Sequence, residues 1–188
     1  MIFNQLFLEI YWFLAKRKLK KVKLVVFDLD GVMTDGNIYI NENGEQTKRF
    51  NVKDGLGIKL LQRFKIEIAI ISGGKGGVAK HRAKDLCINN FFFNVKDKKN
   101  YLKKLQKRLT LDKNQTLYIG DDLNDLTVKN NVSLLVGTRD ANIQFKKKCD
   151  LILKNEGGRN AVREIAERLL KDKFSYKFLL AKGFTEIN

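Results

Sequence analysis

The chain has 188 residues, of which 44% are hydrophobic, so it is long enough to bury the core of one domain and too short for two. Lysine and arginine number 37 against 21 aspartates and glutamates, which gives a net charge of +16. Such a chain attracts anionic ligands. The lysines are scattered as on solvated helix faces, without zinc-finger spacing or an RNA-binding motif with interleaved aromatics, so specific nucleic-acid binding is not expected.

The two cysteines, Cys87 and Cys149, lie far apart and form no CxxC pair. We therefore expect no disulfide, a reducing compartment and burial of both thiols as small hydrophobic groups. The apolar residues 1–15 are too short to span a bilayer, and their basic cluster follows the apolar run, whereas a signal peptide carries it before. A cytoplasmic location follows from these features.

The amino terminus nevertheless predicts a helix within residues 1–20. At helical spacing, Gln5, Glu9, Trp12 and Lys16 form a narrow wedge, while apolar side chains occupy the rest of the circumference. This wide apolar face requires cover from the protein's own sheet, a sister subunit or a membrane surface. Packing against protein is favoured over membrane contact.

Short apolar runs alternate with helical patterns along the chain, which is typical of an α/β fold with a parallel sheet between layers of helices. Residues 36–50 contain Asn43-Gly44 between alternating apolar and polar residues, which predicts a β-hairpin insertion. We expect one domain over residues 1–188, ending in a helix and tail at 157–188. The predicted strands are Leu24–Phe27, Glu67–Ile71, Asn90–Phe93, Thr116–Ile119, Ser133–Val136 and Leu151–Leu153. The predicted helices are Gly55–Phe64, Gly77–Leu86, Lys98–Leu109, Asp122–Asn130, Ala141–Lys147 and Asn160–Lys171.

The strongest motif is Asp28-Leu29-Asp30-Gly31, which follows the first apolar strand. At a strand end that turns into a glycine loop, two carboxylates can converge on one cation. One of them can attack phosphorus as a nucleophile, while the other donates a proton to the leaving group and then accepts one from water. A solvated acidic turn is the simpler alternative.

Four motifs in order resemble those of the haloacid dehalogenase superfamily of phosphatases. They are Asp28–Gly36, Ser72-Gly73 after the second strand, Asp97-Lys98, and Gly120–Asp125 after another strand. The resemblance implies a Rossmannoid three-layer sandwich without a large cap domain. It implies that Asp28 is the nucleophile and Asp30 the acid/base, and that Ser72 and Lys98 neutralise the phosphoryl group.

The same resemblance implies a Mg²⁺ site formed by Asp28, the main-chain carbonyl of Asp30, and Asp121. Asp122 or Asp125 would hold the metal's water ligands. Magnesium suits the site better than zinc because the ligands are oxygens and the chain has no His/Cys cluster. His81, the lone histidine, is expected to be an exposed helical residue, since Asp28 and Asp30 already fill the roles of base and acid.

Within the superfamily, the chain most resembles the 3-deoxy-D-manno-octulosonate 8-phosphate (Kdo 8-phosphate) phosphatase family, in the hairpin, Phe50–Lys59, Arg82 and Gly157–Glu164. The resemblance implies a sugar-phosphate substrate and a homotetramer in which the hairpin serves assembly and Gly157–Arg159 could reach a neighbour's site. The implied substrate contacts are Asp30, Asn51, Val52, Lys53, Asp54, Gly55, Lys59, Gly73, Gly74, Arg82 and Lys98.

One departure concerns specificity, because the family commonly has arginine where this chain has Gly74; Lys75 could substitute as a point charge. Phosphatases of nine-carbon sugar acids (KDN or sialic acid 9-phosphate) therefore stay open as alternatives. A catalytically idle assembly or binding protein with the same fold is a further alternative. The stretch Phe174–Phe184 is apolar enough to pack, although the sequence pattern identifies no partner for it.

Overall fold

The computed structural model of the chain describes residues 9–171, 176–177, 180–181 and 183. The strands are β1 (Leu24–Phe27), β2 (Tyr39–Ile40), β3 (Gln46–Thr47), β4 (Glu67–Ile71), β5 (Asn90–Phe92), β6 (Thr116–Gly120), β7 (Leu134–Gly137) and β8 (Leu151–Ile152). The helices are α1 (residues 9–14), α2 (Lys16–Leu19), α3 (Val52–Arg63), α4 (Gly77–Asp85), α5 (Lys98–Leu109), α6 (Ile143–Lys146) and α7 (Ala161–Leu170). Two 3₁₀ segments span Lys113–Gln115 and Leu123–Asn131.

A parallel sheet with strand order β5-β4-β1-β6-β7-β8 forms the middle layer. All four residues of β1 are buried, with Val25 and Phe27 in the core on one face and Leu24 and Val26 in the core on the other. Helices α1, α3, α4 and α7 cover the first face, and α5, α6 and Leu123–Asn131 cover the second. This arrangement confirms the predicted α/β three-layer sandwich, in which a central strand is apolar on both faces.

The predicted elements differ from the observed ones mainly at their ends. Strands β1 and β4 and helix α5 have the predicted bounds. Helix α3 begins at Val52 rather than Gly55, because the Asn51 side chain caps it by accepting a hydrogen bond from the Lys53 amide at 2.8 Å. The helix predicted at Asp122–Asn130 is a 3₁₀ segment. Its Asn, Asp and Thr residues are weak helix formers, and a short i→i+3 turn suits them better.

The predicted hairpin consists of β2 and β3, which pair antiparallel and lie between β1 and α3 in the chain. Its turn is held by the Asn41 side chain, which accepts hydrogen bonds from the amides of Asn43 and Glu45. Beyond β3, an antiparallel bridge joins Phe50 to Thr34 in the loop after β1. The hairpin's returning strand is therefore fastened beside the carboxyl end of β1.

The amino-terminal helix α1 packs on its own chain through the predicted wedge. Its apolar side chains Ile10, Phe13 and Leu14 are exposed, so cover of the apolar face by a sister subunit or a membrane stays a prediction. Trp12 is 5% exposed and donates from Nε1 to the Ile152 carbonyl at 3.2 Å, while Phe13 is 73% exposed. The Arg168 guanidinium lies 4.2 Å from the centroid of the Trp12 ring and 3.0 Å from Glu9. The cation–π contact and the ion pair bring the predicted wedge inward. Residues 1–8 lie outside the described part of the chain.

Three further expectations concern the cysteines and the tail. Cys149 is half-buried, whereas Cys87 is exposed, which corrects its expected burial; it lies at φ +52° in the turn after α4. Tyr176 is buried and packs edge-on against Phe64 at 6.4 Å, but most of Phe174–Phe184 lies outside the described residues. No helix in the described ranges has the length and apolar character that crossing a bilayer requires.

Candidate active site

The polar residues singled out in the sequence meet at the carboxyl edge of three neighbouring strands. Asp28 follows β1, Ser72 follows β4 and Asp121 follows β6, and β1 lies between the other two. The ladder continues into these residues, because the Asp28 amide donates to Ile119 O at 2.9 Å and the Ser72 amide to Phe92 O at 2.9 Å. The parallel sheet thus places the three side chains on one edge, as expected of a ligand site in this class of fold.

Lys98, the first residue of α5, is the cation of the site. Its side chain is 4% exposed, and its Nζ lies 3.0 Å from Asp28 Oδ2 and 2.6 Å from Asp125 Oδ1. The Tyr118 hydroxyl donates to the same Asp125 oxygen at 2.7 Å, and the Asp121 amide donates to Asp125 Oδ2 at 3.1 Å. A buried ammonium requires such pairing. Asp125 therefore holds Lys98 against Asp28, a role beyond the predicted one of water ligand.

The electrostatics of this cluster favour an added cation. Burial raises the pKa of Asp28 to about 7, because burial and the repulsion by Asp125 together outweigh the attraction of Lys98. Burial, followed by repulsion from Asp28 and Asp125, raises the pKa of Asp121 to about 8. For Lys98, burial opposes the charge, but the attraction of Asp28 and Asp125 outweighs it and the pKa is raised. The carboxylates carry more negative charge than Lys98 neutralises.

The donor set fits a divalent metal ion. Within the described part of the chain, Asp28, Asp121 and Asp125 each offer a carboxylate oxygen, and these oxygens lie within 4.8 Å of one another. Oxygen donors suit a hard cation. Because Asp125 already accepts hydrogen bonds from four protein donors, Asp28 and Asp121 are the carboxylates best placed to bind the ion. Asp122 is exposed and caps Leu123–Asn131.

Glycines let the loop after β1 approach Asp121 and α7 closely. Gly31 has φ +77°, and a Cβ on it would overlap the Asp121 carboxylate. On its other side, a Cβ on Gly157 would overlap Gly31 O, and the Gly158 amide donates to Val32 O at 2.9 Å. Gly157 and Gly158 therefore pack on their own chain's loop. Arg159 is 61% exposed and pairs with Glu156 of the same chain at 3.3 Å, and the expected contact with a neighbour's site stays a prediction.

Asp30 has a partner that the sequence analysis did not identify. Lys48 Nζ lies 2.5 Å from Asp30 Oδ1 and 2.7 Å from Oδ2, and the Thr34 hydroxyl donates to Oδ1 at 3.3 Å. A Cβ on Gly74 would lie 3.0 Å from Asp30 Oδ2 and 3.9 Å from Lys48 Nζ. Lys48 therefore places a positive charge beside Gly74. Lys75, which the sequence analysis offered in place of the family's arginine, is exposed. Only the alternation of the hairpin strand could have indicated that Lys48 points inward.

Of the predicted substrate contacts at the start of α3, two are exposed to solvent and one is buried and hydrogen-bonded to α7. Val52 is 83% exposed and Lys53 is exposed. Asp54 is 3% exposed and accepts hydrogen bonds from the amides of Asn160 at 3.2 Å and Arg163 at 2.9 Å. Burial outweighs these hydrogen bonds and raises the pKa of Asp54. Asp54 thus caps α7, and its predicted substrate contact stays a prediction.

The remaining predicted contacts lie on α3 and α4 and on the loop between β4 and α4. The Arg82 guanidinium lies over Gly55, where a Cβ would overlap Nη2. Lys59 is half-buried, and Gly73 is exposed directly after Ser72. His81 is exposed on α4, as expected.

Comparisons with known proteins agree with this geometry. Residues 82–165 match the family model of haloacid dehalogenase-like hydrolases. The curated 3-deoxy-D-manno-octulosonate 8-phosphate phosphatase of Haemophilus influenzae is 37% identical over 170 residues, which cover 90% of this chain and 94% of that protein.

Two solved structures of such phosphatases are similar throughout. The Moraxella catarrhalis phosphatase, in complex with magnesium ion, phosphate ion and Kdo, has a TM-score of 0.85 at 35% identity, covering 93% of this chain and 97% of that one. The cobalt-bound Haemophilus influenzae phosphatase has a TM-score of 0.80 at 36% identity, covering 86% and 99%. The chain therefore belongs to the 3-deoxy-D-manno-octulosonate 8-phosphate phosphatase family of the haloacid dehalogenase-like hydrolases.

Proposed function

We propose that this protein hydrolyses Kdo 8-phosphate to Kdo and phosphate, with magnesium, through a phosphoryl group carried on Asp28. The observation that supports this most is the buried ammonium of Lys98, held 3.0 Å from Asp28 beside Asp121. A nucleophile next to a fixed cation and a pair of metal-binding carboxylates is what phosphoryl transfer requires. The relative solved with magnesium, phosphate and Kdo supports the choice of metal and sugar.

In the first step, an oxygen of Asp28 forms a bond to phosphorus while the bond from phosphorus to the sugar oxygen breaks. Asp30 gives its proton to that sugar oxygen. The Ser72 hydroxyl and the Lys98 ammonium stabilise the negative charge on the equatorial phosphoryl oxygens. Asp28 and Asp121 would hold the magnesium ion, which would supply positive charge that favours the ionised form of Asp28.

In the second step, Asp30 accepts a proton from water as the water oxygen bonds to phosphorus. The bond between phosphorus and Asp28 breaks, so that Asp28 returns to its carboxylate form and phosphate leaves. Asp30 ends protonated and ready for the next turnover. Asp28 and Asp30 therefore need different surroundings, and Asp28 is almost fully buried while the Asp30 side chain is 35% exposed.

A nine-carbon sugar acid phosphate is the second candidate substrate, because Gly74 occupies the position where the family commonly has arginine. An idle scaffold is disfavoured by the physical cost of Lys98. Burying an ammonium is unfavourable even when it is paired, and an assembly protein has no use for it.

Phosphate release from eight-carbon and nine-carbon keto-deoxy sugar acid phosphates, with magnesium and with excess chelator, tests the proposal. We expect the highest kcat/KM on Kdo 8-phosphate, no release with chelator, and a loss of at least about 10³-fold in Asp28→Asn. Asp85→Asn, an exposed carboxylate at the end of α4, is the control and keeps wild-type rates. Equal rates on every ester would contradict the substrate, and full turnover of Asp28→Asn would contradict the mechanism.

We further propose that the protein is a cytoplasmic homotetramer formed through the hairpin. The hairpin side chains Ile38, Tyr39 and Ile40 are 54%, 48% and 63% exposed, and such apolar groups favour burial in an interface. Light scattering should give four times the mass of the 21.7 kDa chain. Ile40→Lys should lower the assembly state, and a wild-type monomer would refute the proposal.

A further inference from the structure

The ion pair between Lys48 and Asp30 is unusually well enclosed on the lysine side. The Lys48 side chain is 8% exposed, against 35% for that of Asp30, and its ammonium contacts both carboxylate oxygens. A solvated surface pair leaves both partners mobile and contributes little. An enclosed ammonium that contacts both oxygens restricts the terminal torsion of the aspartate, which is otherwise broad.

The hairpin delivers Lys48 to this position. Lys48 follows directly after β3, and two residues later Phe50 bridges to Thr34. Its backbone is thus held by the hairpin on one side and by the loop after β1 on the other. Thr34 also donates its hydroxyl to Asp30, so the same bridge carries both donors to the carboxylate.

Gly74 lies next to this pair and adds no side chain to confine it. A Cβ there would lie 3.0 Å from Asp30 Oδ2, 3.4 Å from Ser72 Oγ and 3.9 Å from Lys48 Nζ. The Asp30 carboxylate and the Lys48 ammonium therefore lie directly beside the Gly74 backbone. Without Lys48, the hydrogen bond from the Thr34 hydroxyl is the one side-chain contact that the described residues leave to the Asp30 carboxylate. One donor restricts the rotation of the carboxylate less than two donors do.

We propose that Lys48 is a positioning residue that holds the Asp30 carboxyl group in the orientation from which it transfers protons, an inference that rests on the proposed phosphatase function. Proton transfer in the transition state requires the acid to lie within hydrogen-bond reach of the leaving oxygen. Misplacement of such a group by about 1 Å costs on the order of 10²-fold in rate. Lys48 acts through Asp30 and not on the substrate.

Lys48→Met, which keeps the length of the side chain and removes its charge, tests this on the full chain. Steady-state phosphate release from Kdo 8-phosphate with magnesium should show kcat lower by about 10- to 100-fold, with KM changed by less than about threefold. Arg49→Met is the matched control, because Arg49 is the next residue, is 53% exposed and pairs with Asp35 at 3.0 Å instead. This control should keep wild-type kinetics.

Two further measurements separate positioning from folding and from substrate binding. In an Asp30→Asn background, Lys48→Met should cost less than about twofold, since the two residues act as a unit. Adding ethylammonium to Lys48→Ala should restore part of kcat and leave wild type and Arg49→Met unchanged. A crystal structure of Lys48→Met should show the Asp30 carboxylate rotated.

The proposal is overturned by a Lys48→Met kcat within twofold of wild type, by a raised KM at unchanged kcat, or by a full-sized loss in the Asp30→Asn background. If the wild-type protein releases no phosphate, the proposed function fails instead. The crystal structure then decides, because an unmoved Asp30 carboxylate in Lys48→Met overturns the positioning role.

Discussion

Replacing Gly31 by alanine should damage the metal site through one carboxylate. A Cβ on Gly31 would lie 2.0 Å from Asp121 Oδ2, so the carboxylate must move by at least about 1.4 Å to reach an ordinary van der Waals distance. Positive φ adds about 1–2 kcal/mol of strain to the fold, because Gly31 has φ +77°. A displacement of this size should lower kcat/KM by on the order of 10²-fold and weaken magnesium binding.

Gly36→Ala provides the matched control for this prediction. Gly36 has φ +76°, the same strained region, but its Cβ would have no neighbour closer than 3.7 Å. Both variants should lose similar thermal stability in the absence of metal, while only Gly31→Ala should lose the stabilisation by added magnesium. Equal magnesium responses and equal activities in the two variants, measured by thermal shift and phosphate release, would refute the reasoning.

Three other outcomes follow from the ionisable groups. The raised pKa values of Asp28 (about 7) and Asp121 (about 8) mean that the metal-free fold binds more protons than the unfolded chain, so its stability falls as pH rises from about 4 to 8. Magnesium competes with those protons, and the rise in Tm on adding it should be larger at pH 8 than at pH 6; a pH-independent rise would contradict this. Asp54→Ala should destabilise the fold by about 1–3 kcal/mol in urea unfolding while KM stays constant, and a raised KM without destabilisation would restore its predicted substrate role. Hydrogen bonds from Arg168 and Lys154 lower the pKa of Glu9 to about 2, so its stabilisation is present above pH 4.5 and is lost as pH falls towards 2. Glu9→Gln should therefore cost less than about 1 kcal/mol at pH 7 and nothing at pH 2, and an equal cost at both would contradict the ion pair.

The fold and the position of the candidate site residues at the sheet edge could be predicted from the sequence because they depend on local patterns. Apolar runs such as Leu24–Phe27 and Glu67–Ile71 form strands with the predicted bounds, and the polar residue after each must lie at the sheet edge. Asp28, Ser72 and Asp121 follow from this rule without knowledge of any contact. Their meeting at one edge is a consequence of parallel topology.

Other features depend on contacts between distant segments and could not be predicted. Lys48 reaches Asp30 only because Phe50 bridges to Thr34. Asp54 lies in a stretch that resembles a substrate loop, yet its carboxylate caps α7, more than a hundred residues later in the chain. Trp12 faces inward because Arg168 stacks on its ring. Periodicity within one element carries no information about such partners.

The most direct test of the account is to trap the phosphoryl group on Asp28. Radiolabelled Kdo 8-phosphate with magnesium should be mixed with the enzyme, quenched in acid within milliseconds and digested to peptides. The account predicts label on the peptide that contains Asp28, its discharge by hydroxylamine as for an acyl phosphate, and no label in Asp28→Asn. Full turnover without labelled protein, together with an active Asp28→Asn variant, would contradict it.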